Sequence, residues 1–155
     1  MTDLSSNVPA EIETMLWTSK TIAVMGMSDK TSRASYHIGI YLAQEGYRVL
    51  PVNPALTEIK GIKCFPSLDE AQAAIRAETG QGIDLVDVFR ASEYVSAIVD
   101  DVIRLRIPNL WLQDGVEDEQ AVSRARAAGV KCVQNDCIHR RHAAMSIPSI
   151  KAARP

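Results

Sequence analysis

From residue 21 to residue 145 the sequence alternates short apolar runs with segments of helical periodicity. The runs are 21–25, 48–52, 85–89, 110–112 and 130–133, with a shorter piece at 61–65. Each is too short for a helix and is bounded by glycine, proline or polar residues, so each reads as a strand. Between them, segments such as Val95, Ile98, Val99, Val102 and Ile103 place apolar residues at offsets 0, +3, +4, +7 and +8, the stripe of a core-facing helix. Parallel strands need a crossover, usually a helix, so this alternation predicts a parallel sheet. The expected fold is α/β: one domain over residues 1–155, ordered over about 10–145. Its doubly wound, mainly parallel sheet has about five to six strands, with helices on both faces. A chain of 155 residues is long enough to bury a sizeable core.

Local signals divide the chain further. Residues 1–8 are polar and expected to fray. Pro9 starts a short helix with Ile12, Met15 and Leu16 on one face, and Trp17 is expected to close it over the sheet. A helix over 35–45 stops at Gly46. Pro51 puts the second strand at an edge or near its end. Ser67 with Glu70 forms a capping box for a helix to about residue 78. Ser92 is expected to cap the next helix, and Pro108 to stop it. Glu117, Asp118 and Glu119 open another, which ends near Arg124 and Arg126 in the sense that suits the helix dipole. A last helix is expected over 136–145, with Pro148 ending regular structure.

In doubly wound sheets ligands sit beyond the carboxyl ends of the strands, at the switch point. That rule selects 26–33, Asn53-Pro54, Phe89-Arg90, 113–115 and 135–137. The first is the richest. A buried strand at 21–25 runs into Gly26 and then a loop holding Ser28, Lys30, Ser32, Arg33 and Ser35, after which a helix begins. Strand, glycine turn, polar loop and helix present N–H groups and a helix N-terminus to an anion, usually a phosphate. The hydroxyls donate, Lys30 and Arg33 supply charge, and Arg90 is a third candidate cation. The bland alternative makes Lys30 and Arg33 solvated loop charges; their place in the loop reserved for ligands argues against it.

The usual nucleotide signatures are missing. Gly26 is not followed by the second and third glycines of a dinucleotide site. Asn53 stands where an acid would hold the ribose. Lys30-Thr31 lacks the glycines of a Walker A loop. Gly26-Met27-Ser28-Asp29-Lys30 lacks the second glycine of a nucleophile elbow. Asp84 and Asp87, at the third long strand, are as readily structural as catalytic. His139 and His142 share a helix without a third ligand nearby, so no metal is expected.

Composition narrows the class. The net charge of −2 argues against nucleic acid as a partner, and the basic residues Arg124, Arg126, Lys131, Arg140, Arg141, Lys151 and Arg154 read as a solvated rim and tail. No apolar run approaches the ~20 residues of a membrane span, and the N-terminus does not read as a signal peptide. Three separated cysteines, Cys64, Cys132 and Cys137, form no C-x-x-C and suit a reducing cytoplasm. Cys132 lies inside a strand and reads as core.

An ordered set of motifs carries a resemblance. It comprises Gly26-Met27-Ser28, Ser32-Arg33-Ala34-Ser35-Tyr36, Tyr41-Leu42, Gly46-Tyr47-Arg48-Val49-Leu50-Pro51-Val52-Asn53-Pro54 and Phe65-Pro66-Ser67-Leu68. It continues through Asp84-Leu85-Val86-Asp87-Val88-Phe89-Arg90, Trp111-Leu112-Gln113 with Gly115, Ala128-Gly129-Val130, and Cys137-Ile138 with His142. With these the chain resembles the CoA-binding protein family over roughly residues 10–145. These are small stand-alone Rossmann-like domains similar to the N-terminal CoA-binding domain of the succinyl-CoA synthetase α subunit. The resemblance implies coenzyme A along the carboxyl edge of the sheet. Its phosphates would meet Gly26, Met27, Ser28, Lys30, Arg33 and Ser35. Adenine and ribose would lie near Val52, Asn53, Pro54, Phe89 and Arg90, and Gln113 and Gly115 would border the pantetheine. The synthetase chemistry uses a phosphohistidine from another domain, which this chain is too short to include. Two departures stand out. Asp136 occupies a place where the family usually has Arg, and Arg141 one where it tends to have Glu.

Cys137 opens the last helix, and one reading has its thiol facing the CoA sulfur to form a mixed disulfide. A small buried thiol is the favoured assignment. The preferred reading of the whole is a CoA- or acyl-CoA-binding module without catalysis of its own, serving a partner enzyme or forming a homo-oligomer. The alternatives are a drifted NAD(P)-type oxidoreductase and a scaffold whose site is vestigial, the latter drawing on Asp136 and Arg141.

Overall fold

The computed structural model describes residues 7–145. In chain order these form α1 (Pro9–Thr18), β1 (Thr21–Met25), α2 (Ala34–Gln44), β2 (Arg48–Val52), β3 (Glu58–Ile59), β4 (Ile62–Lys63), α3 (Leu68–Thr79) and β5 (Leu85–Val88). They continue with α4 (Val95–Arg104), β6 (Asn109–Leu112), α5 (Glu119–Ala127), β7 (Lys131–Val133) and α6 (Ile138–Ala144). Pro148, Lys151 and Arg154 lie outside the described residues, as do residues 1–6.

Five strands make one sheet in the order β2-β1-β5-β6-β7, and every pairing is parallel. Both faces are covered, so the strands are apolar almost throughout, as a buried parallel sheet requires. The pleat sends Ile22, Val24 and Trp111 to one face, where they pack with Ile12, Leu16, Leu42 and Ile138 from α1, α2 and α6. Ala23, Val86 and Leu110 point the other way, against Ile75, Val99 and Val122 of α3, α4 and α5. The α4 stripe is buried through Val102, with Ile103 partly covered at its margin.

Pro51 lies in the edge strand, where its missing N–H breaks no ladder. Outside it the chain adds a single parallel bridge, Val52 to Phe65, in which the Phe65 N–H donates to the Pro51 carbonyl at 2.9 Å. Counting that bridge as a reduced strand gives the Rossmann order 3-2-1-4-5-6. The piece expected over 61–65 is therefore two things: a small hairpin, β3–β4, followed by the bridge at Phe65. The hairpin turns on Lys60 and Gly61, both at positive φ (48° and 81°), the backbone that a two-residue primed turn demands.

Two further expectations are corrected. Trp17 does not close over the sheet; it is 45% exposed. Leu16 already points inward, and one residue later the helix has turned about 100°. Ser92 does not cap α4. Residues Ser92–Tyr94 form a 3-10 turn before α4, and the Ser92 hydroxyl accepts from the Glu117 N–H at 3.0 Å, tying the β6–α5 loop instead. The Ser67 cap forms as expected, whereas α5 begins only at Glu119, so that Asp118, expected inside the first turn, is its N-cap and Glu117 lies before it. The Ser67 Oγ accepts from the Glu70 N–H at 3.2 Å, and Asp118 Oδ1 accepts from the Ala121 N–H at 3.0 Å. α6 begins at Ile138, two residues later than expected.

Among the described residues no helix is long and apolar enough to cross a membrane. The basic residues of the last third are largely paired: Arg124 with Asp100, Arg140 with Asp114 and Asp136, and Arg141 with Asp136.

Candidate functional site

β1 ends at Met25 and Gly26 turns the chain at φ +80°, with its N–H held by the Val52 carbonyl at 2.9 Å. The turn needs glycine for space as well as for φ. A Cβ there would stand 3.0 Å from Arg90 Cδ and 3.1 Å from the Phe89 carbonyl oxygen. The following loop is braced from within. The Ser28 N–H donates to Ser35 Oγ, and the Lys30 N–H to Ser28 Oγ, both at 3.0 Å. Both hydroxyl oxygens are thus oriented as acceptors, and each keeps its own hydrogen to donate.

Around this loop lies an open pocket of about 390 Å³, walled by Gly26, Ser28, Lys30, Arg33, Ala34, Ser35 and Phe89. It opens at the carboxyl ends of β1 and β5, which are neighbours in the sheet on either side of the switch point. α2 starts in its wall. The N-cap position, Arg33, makes no side-chain cap, whereas α3 and α5 are capped by Ser67 and Asp118. Lys30, Arg33 and Arg90 have no carboxylate partner among the described residues. The wall thus combines a helix N-terminus, two hydroxyls and the cations Lys30 and Arg33, the donors and charge that an anion requires.

A larger hollow of about 490 Å³ lies at the opposite edge of the sheet, beside Lys20, Arg48, Gln81 and Asp84. Apart from the Lys20 ammonium, its charged groups are already engaged. Arg48 pairs with Glu78, and Asp84 Oδ2 accepts from the N–H groups of Lys20 and Thr21 at 2.8 and 2.9 Å. Chemistry, not size, singles out the carboxyl edge.

Six candidate residues therefore meet in one wall: Gly26, Ser28, Lys30, Arg33, Ser35 and Phe89. The others support or flank it. The Met27 side chain is fully buried and runs into the core against Gly39 of α2, where a Cβ would stand 2.4 Å from Met27 Cε. Val52 is core as well. Asn53 pins the loop: its Nδ2 donates to the Met27 carbonyl at 3.0 Å, and its Oδ1 accepts from the Ala55 N–H at 2.9 Å. Pro54 is exposed beside it. Arg90 crosses Gly26 on its way to Tyr94. Gly115, at φ +80°, receives Asn135 Oδ1 on its N–H at 2.8 Å. Cys137 is half-buried at the N-cap of α6. Cys132 is buried, and burial pushes its thiol up to about 11.

Gln113 belongs to a buried chain that sequence reasoning missed. Its Nε2 donates to Asp87 Oδ1 at 3.0 Å, and its Oε1 accepts from the Ile138 N–H at 3.3 Å. Asp87 sits in the central strand β5, fully buried, and its Oδ2 has no hydrogen-bond partner. Burial pushes its carboxyl well above the usual range, opposed by the Gln113 bond. The folded chain therefore holds a proton that the unfolded chain releases near pH 4. Stability falls as pH rises from about 4 towards the folded-state pKa. Asp87→Asn keeps the shape and removes the ionisation. Thermal melts should show the variant gaining on the parent between about pH 5 and pH 8; a constant difference would mean that Asp87 does not titrate differently on folding.

His142 is buried on the other helix face of this region. Its Nδ1 meets the Tyr41 hydroxyl at 2.6 Å, and burial, with His139 nearby, lowers its pKa against an opposing pull from Glu45.

A family model described as a CoA binding domain matches residues 20–143. The chain belongs to the CoA binding domain family. It is 34% identical over 134 residues to the uncharacterized protein YneT of Bacillus subtilis, covering 86% of this chain and 93% of that one. Among solved structures it is similar to a hypothetical protein from Pyrococcus horikoshii, with TM-score 0.79, 30% identity and coverage of 92% and 95% of the two chains. A Thermus thermophilus protein gives 0.76, 30%, and 88% and 97%.

Within this CoA binding domain Asp136 and Arg141 pair with each other. Arg141 Nε donates to Asp136 Oδ2 at 2.9 Å, and Nη2 forms an ion pair with the same oxygen at 2.8 Å. Asp136 is buried and also accepts from Asn7, Arg140 and the Cys137 N–H. The pair is local to the β7–α6 segment, and the Asn7 bond links that segment to the start of the described chain.

Proposed function

We propose that this chain binds coenzyme A or an acyl-CoA at the carboxyl edge of its sheet, with the diphosphate cradled by the loop 26–35. It acts as a cytoplasmic carrier or regulator beside a partner enzyme, without chemistry of its own. The observation that carries this reading is the wall formed by Gly26, Ser28, Lys30, Arg33 and Ser35 at the uncapped start of α2, with two cations that have no carboxylate partner among the described residues. Family membership supplies the ligand class. The oxidoreductase alternative loses support because the Asn53 amide is engaged by the loop. The vestigial-site alternative loses its main argument because Asp136 and Arg141 are matched to each other.

Thermal melts with CoA, acetyl-CoA, NAD, NADP and FAD test the reading. A ligand at one hundred times its Kd adds ~2.7 kcal/mol, a rise of roughly 5–10 °C for a chain of this size. CoA and acetyl-CoA should raise the melt and the dinucleotides should not; a shift with NAD or NADP alone overturns the assignment. Lys30→Ala and Arg33→Ala should each weaken CoA binding by about tenfold, the worth of a charge-assisted contact in an exposed wall. Calorimetric affinities unchanged in both would remove the loop from the site.

A further inference from the structure

The third cation of the site does not point where the first two do. Arg90 follows β5, and its Cδ lies 3.0 Å from the position of a Cβ on Gly26, so its stem crosses the outer side of the turn. Beyond the stem, the guanidinium carbon stands 4.2 Å from the centroid of the Tyr94 ring. Tyr94, in the 3-10 turn before α4, is 45% exposed, one of the few large hydrophobic side chains so exposed among the described residues. A guanidinium stacked on an aromatic ring is held flat, with its edge N–H groups still directed outwards. Neither Glu93 beside it nor any other carboxylate of the described residues pairs with Arg90. Four exposed arginines, Arg48, Arg104, Arg124 and Arg140, have carboxylate partners, whereas Arg76 and Arg106 have none among the described residues; what sets the half-buried Arg90 apart is its aromatic partner beside Gly26.

The site thus carries two separate groups of positive charge. Lys30 and Arg33 belong to the loop wall, and Arg90 is drawn off to the rim by Tyr94. Ligands with a single diphosphate need only the first. Coenzyme A carries a diphosphate and, apart from it, a 3′-phosphate on the ribose. We propose that Arg90, positioned by Tyr94, receives the 3′-phosphate of coenzyme A and so sets the preference of this chain for CoA over nucleotides that lack it. The inference rests on the CoA reading above and adds the residue pair that selects the ligand. Arg90 is the contact and Tyr94 a positioning residue. The sequence hint is an aromatic residue in the otherwise polar Ser92-Glu93-Tyr94.

The test is titration calorimetry with CoA and with CoA lacking its 3′-phosphate. The parent chain should prefer CoA by about tenfold or more, the effect of one charge-assisted phosphate contact. Arg90→Gln should bind the two ligands equally, with affinity for the dephosphorylated form close to that of the parent. Tyr94→Leu should shrink the preference, and Tyr94→Phe, which keeps the ring, should retain it. Equal affinities in the parent, or a preference that survives Arg90→Gln, overturns the assignment of Arg90; a preference undiminished in Tyr94→Leu overturns the role of Tyr94. If the parent binds neither ligand, the CoA reading itself fails and this inference with it.

Discussion

Gly26→Val should lower the melting temperature by about 6–12 °C and abolish CoA binding, because it adds strain and a clash worth ~3 kcal/mol. The φ of +80° is unfavourable for any β-branched residue. The new Cβ would meet the Phe89 carbonyl carbon at 3.4 Å and its oxygen at 3.1 Å, and backbone of the adjacent strand end cannot swing aside as a side chain can. Relief would come from moving Gly26 away from Val52, whose carbonyl holds its N–H, and the loop 27–35 would move with it. Differential scanning calorimetry reads the first effect and CoA titration the second. Gly26→Ala should show a smaller loss of stability, since only one methyl must be accommodated. A Gly26→Val chain that melts and binds like the parent would mean that the turn does not require glycine.

Trp111→Ala should be among the most destabilising single substitutions, at about 4 kcal/mol or roughly 8–16 °C. The indole is fully buried in β6 on the face covered by α1, α2 and α6. It fills space between strand and helices, and its Nε1 donates to the Asp136 carbonyl at 3.0 Å. Truncation leaves a cavity and an unpaired carbonyl next to the Asp136–Arg141 pair. Trp111→Phe separates the two contributions. It keeps most of the volume and loses the hydrogen bond with a small part of the packing, so about 1–2 kcal/mol is expected. Chemical denaturation of the three chains checks the order; equal losses for Phe and Ala would assign the whole effect to the hydrogen bond.

Several features of the site could be read before any coordinates. Gly26 after an apolar run, with Ser28, Lys30, Arg33 and Ser35 behind it, announces the loop that lines the pocket. Other candidates were near the pocket but used differently. Met27 is adjacent to Gly26 in sequence, yet its side chain leaves the site for the space beside Gly39. A glycine inside a helix costs about 1 kcal/mol against alanine, so Gly39 was itself a signal that something packs there. Asn53 and Gln113 stand at strand ends where ligands are expected, but their amides are engaged by the Met27 carbonyl, Asp87 and Ile138.

The sequence by itself determined the strands and most of the helices, the parallel sheet, the place of Pro51 at an edge or a strand end, the cap at Ser67, and the polar, glycine-led loop after β1. All of these depend on residues within one or two turns of each other, so periodicity, glycine and capping side chains suffice to specify them. Only the tertiary structure decided that Trp17 faces outwards, that Ser92 serves the β6–α5 loop, that Asp136 and Arg141 are partners, and that Arg90 crosses Gly26 to lie on Tyr94. Most of these outcomes depend on which groups meet across the sheet edge and between helices. Two side chains of the same type in neighbouring loops can meet a ligand or a carbonyl, and the choice is made by partners from distant segments, such as Gly26 for Arg90, 64 positions earlier in the chain.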